Sequence, residues 1–252
     1  MGRLKLDEIE KKLSKDPTNP KLWYDKGMAL AEENRFDECV PAFSRGLMYA
    51  PFDPDLRLQR GRKYITADNY KAAIADINLA ARIKPEHWEN WYYQGVAAYM
   101  CGDYEYSMAA EYKCIQTMIG NDVEEIPAPV CWYWQSAMKA GLKEAAQKIL
   151  DDYIYEGIKC GNMDYTQRCY LYKGIAKPED FSDLEKLKES LKDEDRPELY
   201  FITLCHGLAT FLYYNGEVEK SNELLKIIYE CESYHECFAY KQTLQDMKER
   251  GL

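Results

Sequence analysis

Glycine recurs every 34 residues, at Gly27, Gly61 and Gly95, and it does not recur alone. Pro20, Pro54 and Trp88 keep the same interval, as do the aromatics Phe36, Tyr70 and Tyr104. Pro51 and Pro85 repeat, and Cys39, Ala73 and Ser107 put a small residue in each copy. Trp23 and Trp91 match, with Arg57 between them. A period of this length marks an architecture of stacked units, none of which buries its apolar face alone. Glycine lets the two helices of one unit approach, and the small residue of the second helix answers it. The aromatic opens that second helix, and proline ends one helix and pre-sets the next.

These residues resemble tetratricopeptide repeats, whose pattern runs W-x2-L-G-x2-Y, then A-x3-F, then P. The first copy has Trp23, Gly27, Leu30, Cys39, Phe43 and Pro51. The second has Gly61, Tyr64, Ala73, Ile77, Ala80 and Pro85. The third has Trp91, Gly95, Ala98, Gly102, Tyr104 and Ser107, then departs, with Glu111 where a large apolar residue is expected. Tyr104, Met108, Tyr112, Ile115 and Ile119 still form a helical apolar stripe, shifted by one residue. The resemblance implies an all-α fold: a right-handed superhelical solenoid of antiparallel helical hairpins, with no sheet.

The expected organisation is a capping helix within 1–19, three regular units over 20–121, irregular hairpins over 122–196, and a late hairpin with a capping helix over 197–252. Leu4 to Leu13 supplies the first cap. Asn121-Asp122 and the pair Pro127 and Pro129 mark a break. Trp132, Ala137, Gly141, Ala145 and Leu150 resemble a shortened fourth repeat. Pro178 opens a helix, Ser182 with Glu185 and Ser233 with Glu236 have capping-box spacing, and Asn215-Gly216 is a turn. The last helix places Cys237, Tyr240, Leu244 and Met247 on an inner face, with Gln242, Gln245, Asp246 and Glu249 facing water.

In such arrays the first helix of each unit lines a concave surface, so the resemblance implies a partner-binding groove at the outward positions of those helices. They are Tyr24 and Met28 in the first copy, Asp55, Gln59 and Arg62 in the second, and Glu89, Tyr92, Tyr93, Val96 and Tyr99 in the third. His206, Thr210 and Tyr213 are the corresponding candidates of the late hairpin. Tyrosines at helical spacing also serve as packing, and Trp23 and Trp91 belong to the core. The expected partner is another protein or a peptide with apolar or basic side chains. Some relatives clamp the C-terminal carboxylate of heat-shock chaperones. The matching positions here are Tyr24, Met28, Gln59, Glu89 and Tyr93; only Gln59 is chemically close, and Glu89 would repel the carboxylate. That clamp is rejected.

A net charge of −10 disfavours nucleic acid and anionic membrane surfaces. Leu199 to Gly216 lacks charged residues, yet it barely reaches spanning length and reads as a buried core helix. The nine cysteines contain no C-x-x-C pair and most lie in apolar stretches, which points to reduced thiols and a cytoplasmic location. The start of the chain is charged and lacks the apolar core of a signal peptide. No zinc-protease, nucleophile-elbow, Walker or dinucleotide motif occurs. Cys231, His235 and Cys237 alone cluster metal-ligand types, at a spacing that fits no common zinc site. No catalytic residue, metal or cofactor is therefore assigned. The functional expectation is a non-catalytic scaffold or adaptor. The alternative is a regulatory receptor for a small peptide or metabolite, and an enzyme using scattered residues is a third.

Overall fold

A computed structural model describes residues 5–158, 161 and 163–252 of the protein. Among the described residues there are fifteen α-helices and no strand. The chain divides into two units, the first running to Thr117 and the second beginning at Met118.

The first unit holds α1 (Leu6–Leu13) and three hairpins: α2 (Pro20–Glu32) with α3 (Phe36–Tyr49), α4 (Pro54–Thr66) with α5 (Tyr70–Ile83), and α6 (Trp88–Met100) with α7 (Tyr104–Met118). Leu4, expected to begin the first helix, lies outside the described residues. The 34-residue columns each have a local cause. Asn19 and Asp53 accept hydrogen bonds from the first free N–H groups of α2 and α4, at 3.1 and 3.4 Å and at 3.0 and 2.9 Å, just ahead of Pro20 and Pro54. The hairpin turns fall at Asn34, Asp68 and Gly102, all in the left-handed region with φ of 59°, 57° and 79°. Asn, Asp and Gly are the residues that occupy that region at least cost.

The glycine column is a close helix–helix approach. A Cβ on Gly27 would come 2.3 Å from the Phe43 ring, and one on Gly61 would come 2.5 Å from Ile77. In the third hairpin the same column brings Gly95 against Glu111, whose side chain is fully buried where Phe43 and Ile77 stand in the earlier copies. The Trp23, Arg57, Trp91 column also has one chemistry. Trp23 and Trp91 each donate their indole N–H to a carbonyl six residues upstream, Pro17 and Pro85, at 2.8 Å. Arg57 gives Nε and Nη2 to the equivalent Pro51 carbonyl at 3.0 and 2.6 Å.

In the second unit α8 (Pro127–Lys139) and α9 (Lys143–Tyr153) form a hairpin that turns at Gly141, with φ of 76°. Next come α10 (Met163–Lys173), the short α11 (Glu179–Ser182) and α12 (Leu184–Leu191). The late hairpin pairs α13 (Pro197–Tyr214) with α14 (Val218–Tyr229), and α15 (Phe238–Arg250) closes the chain. Two expected caps are displaced. Asp183, not Ser182, accepts from Lys186 N at 3.1 Å. The Cys237 sulfur caps α15 from Tyr240 N at 3.4 Å, while Ser233 bonds Glu198 instead.

The last helix departs from expectation at three positions, although Tyr240 is buried and Glu249 exposed as expected. Gln242 and Asp246 are buried and Leu244 is exposed, because a polar network in the core of this unit receives them. No disulfide joins the eight described cysteines, and Cys160 lies outside the described residues. Among the described residues no helix is long and apolar enough to cross a membrane.

Candidate partner-binding face

The face to which the sequence assigns a partner is built by the first helices of the three hairpins, α2, α4 and α6. Gln59 and Arg62 stand one turn apart on α4, and Glu89 and Tyr93 stand one turn apart on α6. The structure brings these four together. The Arg62 guanidinium lies 4.4 Å from the centre of the Tyr93 ring, a cation–π distance. Its Nη1 is 3.8 Å from Glu89 Oε1 and 3.4 Å from Gln59 Oε1. Arg62, Glu89 and Tyr93 are half-buried, and burial pushes the Tyr93 hydroxyl above its ordinary range. Tyr92 sits beneath, edge-on to Tyr93 at 5.1 Å and to Trp88 at 6.3 Å.

The other candidates separate from this cluster. Asp55 is exposed and faces Lys84 Nζ at 3.2 Å. Tyr24 and Met28 are half-buried against the core around Phe43, with the Tyr24 and Phe43 rings 6.2 Å apart. Gln59 and Tyr92 are buried to 8% exposure, Tyr99 to 2% and Val96 to zero, so these side chains do not stand on the surface as expected. The reason is that α6 is covered all round from Gln94 to Met100, where every residue is buried. Tyr99 packs edge-on to Tyr104 at 5.4 Å.

His206 and Thr210, the late-hairpin candidates, are also inside. His206 Nε2 is 3.2 Å from Asp246 Oδ2, and His206 Nδ1 is 3.3 Å from Arg168 Nη2. Arg168 Nη2 also reaches Gln135 Oε1 at 2.9 Å, which accepts from Gln242 Nε2 at 2.9 Å. Lys139 Nζ binds Asp246 Oδ1 at 2.6 Å and Glu249 at 2.5 Å. Burial pushes His206 down to about 4, with the Arg168 charge adding and Asp246 opposing. Burial would raise Asp246, but the hydrogen bond from His206, with the charge and hydrogen bond of Lys139, holds it far below the usual carboxylate range. Tyr213 is half-buried under Arg250, whose guanidinium lies 3.8 Å from the ring centre. Sequence reasoning found none of these partners. Gln135, Arg168, His206 and Asp246 come from four helices and share no local motif.

The Cys231, His235, Cys237 cluster is absorbed by local structure. His235 Nε2 meets the Cys231 carbonyl at 2.8 Å, and Cys237 caps α15.

A tetratricopeptide-repeat protein from Parabacteroides merdae superposes on 95% of this chain and 91% of its own, with a TM-score of 0.62 and 15% identity. The chain has a tetratricopeptide-repeat fold. The same fold likeness extends to YrrB, a tetratricopeptide-repeat protein with an unusual peptide-binding site. That match covers 95% of this chain and 97% of the other, at a TM-score of 0.53 and 12% identity. It extends also to the APC/C hetero-tetramer Cut9–Hcn1, over 95% of this chain and 46% of the other, at 0.57 and 12%. In sequence, DnaJ homolog subfamily C member 3 of Gallus gallus is 25% identical over 109 residues, 43% of this chain. The match spans about a fifth of that relative, 22% of its length. No protein-family model matches the chain.

Proposed function

We propose that the protein is a non-catalytic interaction module that holds a peptide or partner helix against the face of α2, α4 and α6. The observation that carries this reading is the Arg62–Tyr93 stack beside Glu89. A guanidinium in a close bidentate pair has its donors spent. Arg62 stands 3.8 Å from Glu89, too far for that, and gives Nη1 to Gln59 Oε1 at 3.4 Å, so its plate is held by the ring while its remaining N–H groups face a ligand. Arginine and tyrosine are the residue types that dominate binding energy at interfaces. Glu89 and Asp55 favour basic side chains of the partner, and Tyr24 and Met28 favour apolar ones.

The peptide-binding site named for YrrB supports the partner class by likeness of fold. The non-catalytic reading is supported by His206, locked neutral between Arg168 and Asp246, and by His235, spent on a backbone carbonyl. The free thiol chemistry of the described cysteines supports a cytoplasmic setting.

The test is co-purification from the native host with the tagged parent chain and with the double variant Arg62→Ala, Tyr93→Ala, both checked by circular dichroism and melting. A partner recovered by the parent and reduced about tenfold by a folded variant supports the reading. Equal recovery by both overturns it.

A further inference from the structure

A second, separate hollow lies where the start of α3 meets the end of α4, and it has a volume of about 530 Å³. That is within the roughly 300–1,000 Å³ that holds a drug-sized molecule or a few peptide residues. Its apolar wall is Phe36, Val40 and Pro41. Opposite them stands Lys63, half-buried, with Nζ 4.8 Å from the centre of the Phe36 ring. Among the described residues no carboxylate lies within 4 Å of that ammonium. Burial, with the Arg62 charge beside it, pushes Lys63 below the ordinary lysine range. A charge held at a cost in a concave apolar site gains most from a counter-ion brought by a ligand.

Asp37 also lines the hollow, on the exposed first turn of α3. It is an acceptor for a backbone N–H and a bar to a free phosphate or any densely anionic ligand. Asn69 adds an amide, whose oxygen already caps α5 through Ala72 N at 3.4 Å. The hollow thus combines one half-buried cation, one rim carboxylate and an apolar wall.

The geometry points to a binding site for an extended peptide segment that inserts an internal acidic side chain toward Lys63 and lays a neighbouring apolar residue on Phe36, Val40 and Pro41. The charge complementarity selects carboxylate over amide, and Asp37 selects an internal segment with N–H groups to offer. The site stands whether or not the Arg62–Tyr93 face binds anything.

The test titrates the full chain, uniformly labelled with carbon and nitrogen isotopes, with three blocked or open tripeptides followed by nuclear magnetic resonance. Acetyl-Leu-Glu-Leu-amide is expected to shift the Lys63 ε-methylene signals and the amides of Val40 and Ala67, and to move the Lys63 titration up toward the ordinary range. Acetyl-Leu-Gln-Leu-amide is expected to bind at least about tenfold more weakly, the worth of a charge-assisted contact. Acetyl-Leu-Leu-Leu with a free C-terminus tests the terminal carboxylate. Lys63→Met keeps the stem and removes the charge, and should abolish the preference for Glu over Gln. Equal affinity of the Glu and Gln peptides for the parent chain overturns the site. So does binding by the free-carboxylate peptide alone, or an unchanged Glu preference in a folded Lys63→Met.

Discussion

The Arg168 guanidinium and the His206 imidazole meet at 3.3 Å, Nη2 to Nδ1, and this contact decides where the histidine proton sits. Arginine only donates, so Nδ1 must accept, and the single ring proton resides on Nε2. From there it donates to Asp246 Oδ2 at 3.2 Å. Asp246 is completed by Lys139 at 2.6 Å, so the chain of bonds crosses from α10 through α13 and α15 to α8 with every donor direction set. A second proton on His206 would face Arg168 with no acceptor between them. The folded state therefore holds neutral His206, with a pKa near 4 against 6.5 for a free histidine.

Because that value is depressed in the folded state, the unfolded chain binds more protons between the two. The stabilisation is complete above about pH 6.5 and is lost as pH falls toward 4, by on the order of 3 kcal/mol. Asp246, also depressed, adds a further loss at lower pH. Melting temperature should fall from pH 7 to pH 4.5 in the parent chain. In His206→Asn the curve should start lower and be flatter over the same range. A parallel fall in both would show that other groups carry the acid sensitivity.

Alanine at the contact glycines should destabilise through overpacking. At Gly27 the new methyl would lie 2.3 Å from the Phe43 ring, at Gly61 2.5 Å from Ile77, and at Gly207 2.6 Å from the Arg168 stem. None of these neighbours is a loose surface end, since all three are buried. A cost of about 1–3 kcal/mol each is expected, read as a lower midpoint in urea with little change in slope. Alanine for the exposed Ser14 or Thr18, whose hydrogen bonds are local, serves as control and should stay within about 0.5 kcal/mol.

The first unit was legible because its constraints repeat. Glycine beneath a bulky side chain, a turn in the left-handed region and a proline ahead of a capped helix recur three times or nearly so, and each leaves a residue-type trace. Arg57 was visible only as a gap in the tryptophan column, since nothing local says that a guanidinium serves the same carbonyl. The second unit hides its logic, because Gln135, Arg168, His206 and Asp246 meet only after folding. Helical amphipathicity assigns polar residues to water. That rule misplaced Gln242 and Asp246, which face inward to the network, and Leu244, which faces out. The partner-face candidates on α6 were misjudged for the converse reason. A helix covered on every side has no outward stripe, so Val96 and Tyr99 sit in the core.

The tryptophan column gives a ranked prediction at Arg57. Its Nε and Nη2 serve Pro51 O, and its Nη1 reaches the buried Asp76 at 2.8 Å. Arg57→Ala removes both functions. Asp76 keeps Arg60, which binds it at 2.6 and 2.8 Å, so the loss is about 1–3 kcal/mol rather than that of a stranded charge. Arg57→Trp restores an N–H for the Pro51 carbonyl, as Trp23 and Trp91 do for theirs, and should recover about 1 kcal/mol relative to alanine. Urea denaturation of the three chains checks the order parent, tryptophan, alanine. Tryptophan no better than alanine would mean that the shared carbonyl is not what this column conserves physically.

The partner face should divide cleanly into residues that bind and residues that hold the fold. Arg62 and Tyr93 are half-buried and in contact with each other at 4.4 Å, so truncating either should weaken a partner by about tenfold or more and shift melting little. Tyr99 is buried to 2% exposure and Val96 is fully buried. Tyr99→Ala should cost about 3–5 kcal/mol through the cavity it leaves, and Val96→Ala less, since fewer atoms are lost. Any loss of binding in these two should vanish when each is compared at a temperature where it is fully folded. Isothermal titration with the captured partner, paired with calorimetric melting of all four variants, separates the two classes. Binding lost in folded Tyr99→Ala, with none lost in Arg62→Ala, would invert the assignment and place the contact surface inside α6.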